Sequence, residues 1–143
     1  MINDKLEQNI IKLCLLFKNN KLDEDEYIVE NLLDDVDNEF TNLLSKNKLW
    51  HSYSNLTSEI LSLMTSLLDI NYPISFIRPA ILPSDRKKLS SIIEDILYFY
   101  LDYMDAGNKY RIKMIGDFNE LHIELASFIY FEFNKGKNDR QRD

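Results

Sequence analysis

The chain reads as an all-α, single-domain, mostly antiparallel bundle of about five helices, with an extended Pro-containing crossover near residues 70–83. Three observations predict this. No glycine or proline occurs in the first 72 residues. Helix interiors exclude these two types, proline for its missing N–H and ring clash, glycine for its backbone entropy. Over the same stretch Leu, Ile and Phe recur at three- and four-residue spacing, which is the period of one helical face. Finally, Pro73, Pro79 and Pro83 all fall in one short stretch, and Gly107, Gly116 and Gly136 come later.

The first helix is expected from Asn3, a good N-cap, to about Asn19, with Leu6, Ile10, Leu13, Cys14 and Phe17 inward. Asp23 and Glu26 form an aspartate version of the capping box and open a second helix. Its stripe is Val29, Leu32, Leu33, Val36, Phe40, Leu43 and Leu44, and it should end near Lys46. A third helix lies between Trp50 and Asp69, with Leu56, Ile60, Leu63, Met64 and Leu67 inward. Its outer face is Ser54, Ser58, Ser62, Thr65 and Ser66.

Residues 70–83 carry the prolines but also Ile70, Tyr72, Ile74, Phe76, Ile77, Ile81 and Leu82. A solvated linker would be polar, so the crossover is expected to lie packed on the bundle, with Phe76 and Ile77 covered; exposure of part of it as a binding surface is the competing reading. Ser84, with Asp85 next to it, is expected to cap the fourth helix, which runs to Met104. The run Ile96–Leu101 is apolar on nearly every side and marks the central helix. Gly107 fits a C′ residue and Asn108 the next N-cap, giving a tight αα-hairpin. The last helix carries Ile115, Phe118, Leu121, His122, Leu125, Phe128 and Ile129 on its apolar stripe and should end near Asn134. Gly116, followed by Asp117 and Glu120, leaves both a break and a continuous helix open. The domain is thus 1–134, and 135–143 (KGKNDRQRD) reads as a disordered polar tail.

The bulk composition narrows the class of protein. With 45% hydrophobic and 29% charged residues, the chain is globular, not disordered. Its single cysteine, Cys14, lies on the first helix's apolar stripe and reads as a small core hydrophobe. The N-terminus lacks the basic start and small-residue cleavage site of a secretory signal, so the expected location is cytoplasmic. The longest apolar run, Ile96–Leu101, is far shorter than the roughly 18 residues of a membrane span. A net charge of −7 argues against nucleic acid and anionic membranes as direct partners.

That charge is concentrated. Between Leu22 and Ser45 there are nine acids and no Lys or Arg, so the rest of the chain sums to +2. At 100° per residue, Asp23, Glu26, Glu30, Asp34 and Asp37 share a sector of about 80° beside the apolar stripe. Like charges at i,i+4 oppose helix formation, and a sequence shaped by stability alone would interleave lysines. Three readings follow: a solvated face, a docking strip for a basic partner, or a metal site. In the docking reading the strip acts with Tyr27 beside it and with Trp50 and Tyr53 after the helix. Reversing Glu30, Asp34 and Asp37 to Lys should then leave the fold intact and weaken binding, mainly through a slower on-rate.

Metal and catalytic motifs are weak. All-helical nucleotide pyrophosphatases hold magnesium with Glu-Glu-x-x-Glu, whereas here Asp25-Glu26 is followed by Val29, and Glu94-Asp95 by Tyr98, at the third-acid position. Di-iron bundles need Glu-x-x-His, but Lys48 precedes His51 and Asn119 precedes His122 at that spacing. His122 falls on an apolar stripe and reads as a satisfied core or boundary histidine. Lys87, Lys88, Lys109, Arg111 and Lys113 read as surface solubilisers.

No cofactor, metal ligand or catalytic residue is therefore assigned, and the chain is not read as an enzyme. The leading expectation is a small acidic inhibitor of the immunity-protein or antitoxin type, which neutralises a basic toxin such as a nuclease by occlusion. A phage-encoded inhibitor of a host defence enzyme would use the same physics. A metal-dependent nucleotide pyrophosphatase-like enzyme and a structural subunit of a larger assembly are the alternatives from other classes.

Overall fold

The computed structural model describes residues 2–19, 26–46, 55–78 and 88–141, with side chains to residue 134. Helix makes up 84% of these residues and no strand occurs among them. The five helices are α1 (Asp4–Lys18), α2 (Glu26–Lys46), α3 (Leu56–Leu67), α4 (Leu89–Asp105) and α5 (Asn108–Gln141). Helix α1 packs on α2, α3 and α4, while α5 packs on α3 and α4. The all-α bundle is therefore as expected.

The first two helices follow the sequence closely. Asn3 is extended, and its side chain accepts from the Leu6 N–H at 2.8 Å, capping α1. Leu6, Ile10, Leu13, Cys14 and Phe17 are all buried. Helix α2 buries Leu32, Val36, Phe40 and Leu43 and ends at Lys46. The Asp23 half of its expected capping box lies outside the described residues.

Helix α3 turns a different face inward. Thr57, Leu61 and Thr65 join Leu56, Ile60 and Met64 in the core, while Leu63 and Leu67 are half-buried. Thr65 thus leaves the outer hydroxyl face assigned to it. Its Oγ1 donates to the Leu61 carbonyl at 2.7 Å, so burial leaves no hydroxyl unsatisfied. The helix closes with Asp69 at φ 55°, a left-handed residue after which the Ile70 N–H returns to the Thr65 carbonyl. From α1, Lys18 reaches this turn, donating to the Leu67 carbonyl at 3.0 Å and pairing with the Asp69 carboxylate at 3.1 Å.

The crossover is packed at its start and open further on. Ile70 is buried, Tyr72 and Ile74 are half-buried, and the residues between them face out. This is the two-residue period of an extended chain on an apolar surface. The alternation fails at Phe76, which is 88% exposed, while Ile77 is half-buried. The expected covering of Phe76 is therefore wrong: the inward alternation of Ile70, Tyr72 and Ile74 stops before it. Pro79, Ile81, Leu82 and Pro83 lie outside the described residues.

Two helix boundaries also move. Lys88 is extended and serves as the N-cap of α4, which begins at Leu89; Ser84 and Asp85, the expected cap and its neighbour, lie outside the described residues. Gly107 is not left-handed. Its carbonyl accepts from the Tyr110 and Arg111 N–H groups, so it opens α5 itself where Asn108 was the expected cap. In α4, Tyr98 is half-exposed, which opens one side of the otherwise apolar Ile96–Leu101 run.

Helix α5 continues through Gly116 and past Asn134 to Gln141. Packing of Ile115 and Phe118 on either side of Gly116 outweighs the roughly 1 kcal/mol that a glycine costs a helix interior. Of the stretch read as a disordered tail, residues 135–141 belong to α5, and 142 and 143 lie outside the described residues.

An aromatic chain ties these parts together. Tyr72 lies against Phe118 at 4.6 Å between ring centroids, Phe118 against Phe99 at 5.0 Å, and Phe99 against Tyr103 at 6.0 Å. Arg111 finishes the series, with its guanidinium 5.0 Å from the Tyr103 ring centroid. It also donates to the Tyr103 and Met104 carbonyls at 2.9 and 3.1 Å, closing the C-terminus of α4. Arg111 is thus part of the fold and not a free surface cation.

Candidate functional site

Helix α2 has three separate acidic environments. Towards α1, Asp35 and Glu39 line a surface groove of about 520 Å³ together with Asp4, Lys5 and Lys12. Towards α4, Asp37 is half-buried and engaged. Its two carboxylate oxygens accept from the Ser90 N–H at 2.9 Å and the Ser90 hydroxyl at 2.6 Å. The third environment is the outer face. There Glu26, Glu30 and Asp34 are exposed, and none of the described residues pairs with them.

The Asp37 contact has a clear physical cause. Lys88 carries no side-chain acceptor for the free N–H groups at the start of α4. Asp37 supplies that acceptor from a neighbouring helix and places its charge at the positive end of the helix dipole. The expectation that Asp37 belongs to a docking strip, replaceable by Lys without harm to the fold, is therefore corrected. A lysine there would strip α4 of its cap and put a cation against the dipole.

With Asp37 removed, the exposed face becomes sharper. Tyr27, Glu30 and Asp34 stand at i, i+3 and i+7, one above another on the helix. Tyr27 is 76% exposed, and Glu26 flanks it. An aromatic ring beside two carboxylates one turn apart can seat a cationic, partly apolar surface. Asp23, Trp50 and Tyr53, the other expected contact residues, lie outside the described residues.

A crevice of about 350 Å³ runs beside Asp37 between α2, α4 and α5, lined by Phe40, Leu44, Lys88 and Phe128 among others. It holds mixed apolar and charged groups with no convergent chemistry. Among the described residues, no group of three His, Cys, Asp or Glu is placed to hold a metal ion. None of their helices is long and apolar enough to cross a membrane.

Two buried titratable groups complete the picture. Burial pushes the Cys14 thiol up to about 12, which keeps it protonated and unreactive. His122 is 1% exposed, and its Nδ1 lies 2.9 Å from the Tyr72 hydroxyl, so it is a satisfied core histidine as expected. Sequence reasoning did not find Ser90 or Asn119. Ser90 is 53 residues from its partner, and no local pattern announces such a pairing. A histidine on an apolar stripe was the one hint that a polar partner had to exist.

No protein-family model matches the chain, and neither characterised proteins nor solved structures give a match.

Proposed function

We propose that this protein is an acidic protein-binding inhibitor of the immunity-protein or antitoxin type, which occludes the cationic active site of a partner such as a nuclease. The observation that carries this reading is the outer face of α2. Glu30 and Asp34 stand exposed without a described counter-charge, next to an exposed Tyr27. Elsewhere on the same helix Asp37 is taken up by α4, and Asp35 and Glu39 line a groove shared with lysines of α1. A carboxylate on successive turns recurs at about 5–6 Å along the axis, which suits a groove lined with Lys and Arg. Charge of this kind speeds encounter and sets register, and the aromatic anchor adds residence time.

The test uses wild-type protein and the Glu30→Lys/Asp34→Lys variant as parallel baits in a cell lysate, with Asp37 left intact. The expected result is one basic protein retained by wild type, lost by the variant, and inhibited when purified and mixed with wild type. Equal retention of the same partner by both baits would remove the outer face of α2 from the interface.

A further inference from the structure

The crossover meets α5 at a small polar cluster on the edge of the core, where His122 is buried, Tyr72 half-buried and Asn119 exposed. Tyr72 donates its hydroxyl proton to the Asn119 side-chain oxygen at 3.0 Å, while His122 Nδ1 lies 2.9 Å from the same hydroxyl. A phenol has one proton to give. Spent on Asn119, it leaves the phenolic oxygen as an acceptor, so neutral His122 carries its proton on Nδ1 and donates it to Tyr72. Among the described residues, this hydroxyl makes the hydrogen bonds that tie residues 71–78 to a helix. The Tyr72 ring, tilted on Phe118, supplies the apolar part of the attachment.

We propose that His122, Tyr72 and Asn119 form a pH-sensitive latch, which holds the 70–78 crossover on α5 at neutral pH and releases it when the imidazole is protonated. The geometry sets the direction. A second proton would have to go on Nε2 and would place a full charge on a ring that is 1% exposed. The titratable group facing the ring is the Tyr72 hydroxyl, held well above the pH range concerned because burial raises it. Glu59 on α3 is engaged by the Ile2 N–H, Asp102 on α4 and Glu120 on α5 are exposed, and Asp95 and Glu124 have interactions of their own. Burial lowers the His122 pKa from 6.5.

The sign follows from linkage. In the released state the ring is hydrated and titrates near 6.5, so the latched state is fully favoured above that value and loses ground as pH falls below it. Release lifts Tyr72 and Ile74 from the bundle and uncovers Phe118, on a segment that already displays Phe76.

Amide hydrogen exchange between pH 7.5 and 5.0, corrected for intrinsic rates, tests the latch. Exchange at residues 70–78 should rise by up to about tenfold per pH unit below about 6.5 while α1 and α2 stay protected. His122→Asn, neutral at every pH, should abolish that rise. An equal rise in His122→Asn, or a rise shared by α1 and α2, would overturn the proposal. Should that variant fail to fold, nuclear magnetic resonance of the wild-type imidazole decides. The latch requires the Nδ1–H tautomer and a midpoint below 6.5, and either an Nε2–H tautomer or a midpoint at or above 6.5 contradicts it.

Discussion

Asp37 on α2 caps α4 through Ser90, accepting both its backbone N–H and its hydroxyl. An acid in the most negative part of the chain is thereby spent on holding two helices in register. Asp37→Ala should cost about 1–2 kcal/mol in urea unfolding, the usual worth of a lost charged cap. Asp37→Asn should cost less, because an acceptor remains and the charge–dipole contribution of about 0.3–1 kcal/mol is what disappears. If Asp37→Ala unfolds like wild type, the cap contributes nothing in solution.

Gly116 sits exposed in an unbroken helix, and a Cβ built there meets nothing within 4 Å. Gly116→Ala should therefore raise stability by about 0.5–1 kcal/mol, through the helix propensity of alanine and the lower entropy of the unfolded chain. A loss of stability would show that the helix breaks at this residue.

The crossover separates two neighbouring apolar residues. Phe76→Asp should change stability by no more than about 0.5 kcal/mol, as exposed positions do. Ile74→Asp, by contrast, should cost about 1–3 kcal/mol, since it puts a carboxylate into a half-buried apolar contact. Thermal or urea melts of the pair check this, and equal effects would refute the inward and outward assignment.

With its thiol held at about 12, Cys14 has a thiolate fraction of about 10⁻⁴ at pH 8. A disulfide reagent at that pH should leave the native protein unlabelled over the time in which a free thiol reacts fully. Labelling should appear only through the unfolding transition. Rapid labelling of native protein would place Cys14 outside the core.

How much of this was legible in the sequence depends on range. The stripe from Leu6 to Phe17 and the Asn3 cap were read correctly, since periodicity and capping are set by residues within one or two turns. Errors arose where a distant element decided the outcome. Thr65 is buried because α3 packs with a different face inward, and Arg111 is structural because α4 ends beside it. Asp37 looked identical to Glu30 and Asp34 in sequence, and only the position of Ser90 tells them apart. The exposed acids of α2 were visible as a charge run. Which of them remain free on the folded surface was a tertiary question.

On the proposed function, the outer face of α2 docks a basic protein. The most direct measurement is the association rate of the captured partner with wild type and with Glu30→Lys/Asp34→Lys, taken between 50 and about 500 mM salt. The variant should unfold at the same denaturant concentration as wild type or slightly above it, because positions 30 and 34 stay like-charged while position 30 gains an opposite charge one turn away at Glu26. Its on-rate should be lower by at least about tenfold at low salt, and the wild-type advantage should shrink steadily as salt rises. A wild-type on-rate independent of salt, matched by the variant throughout, would contradict the claim.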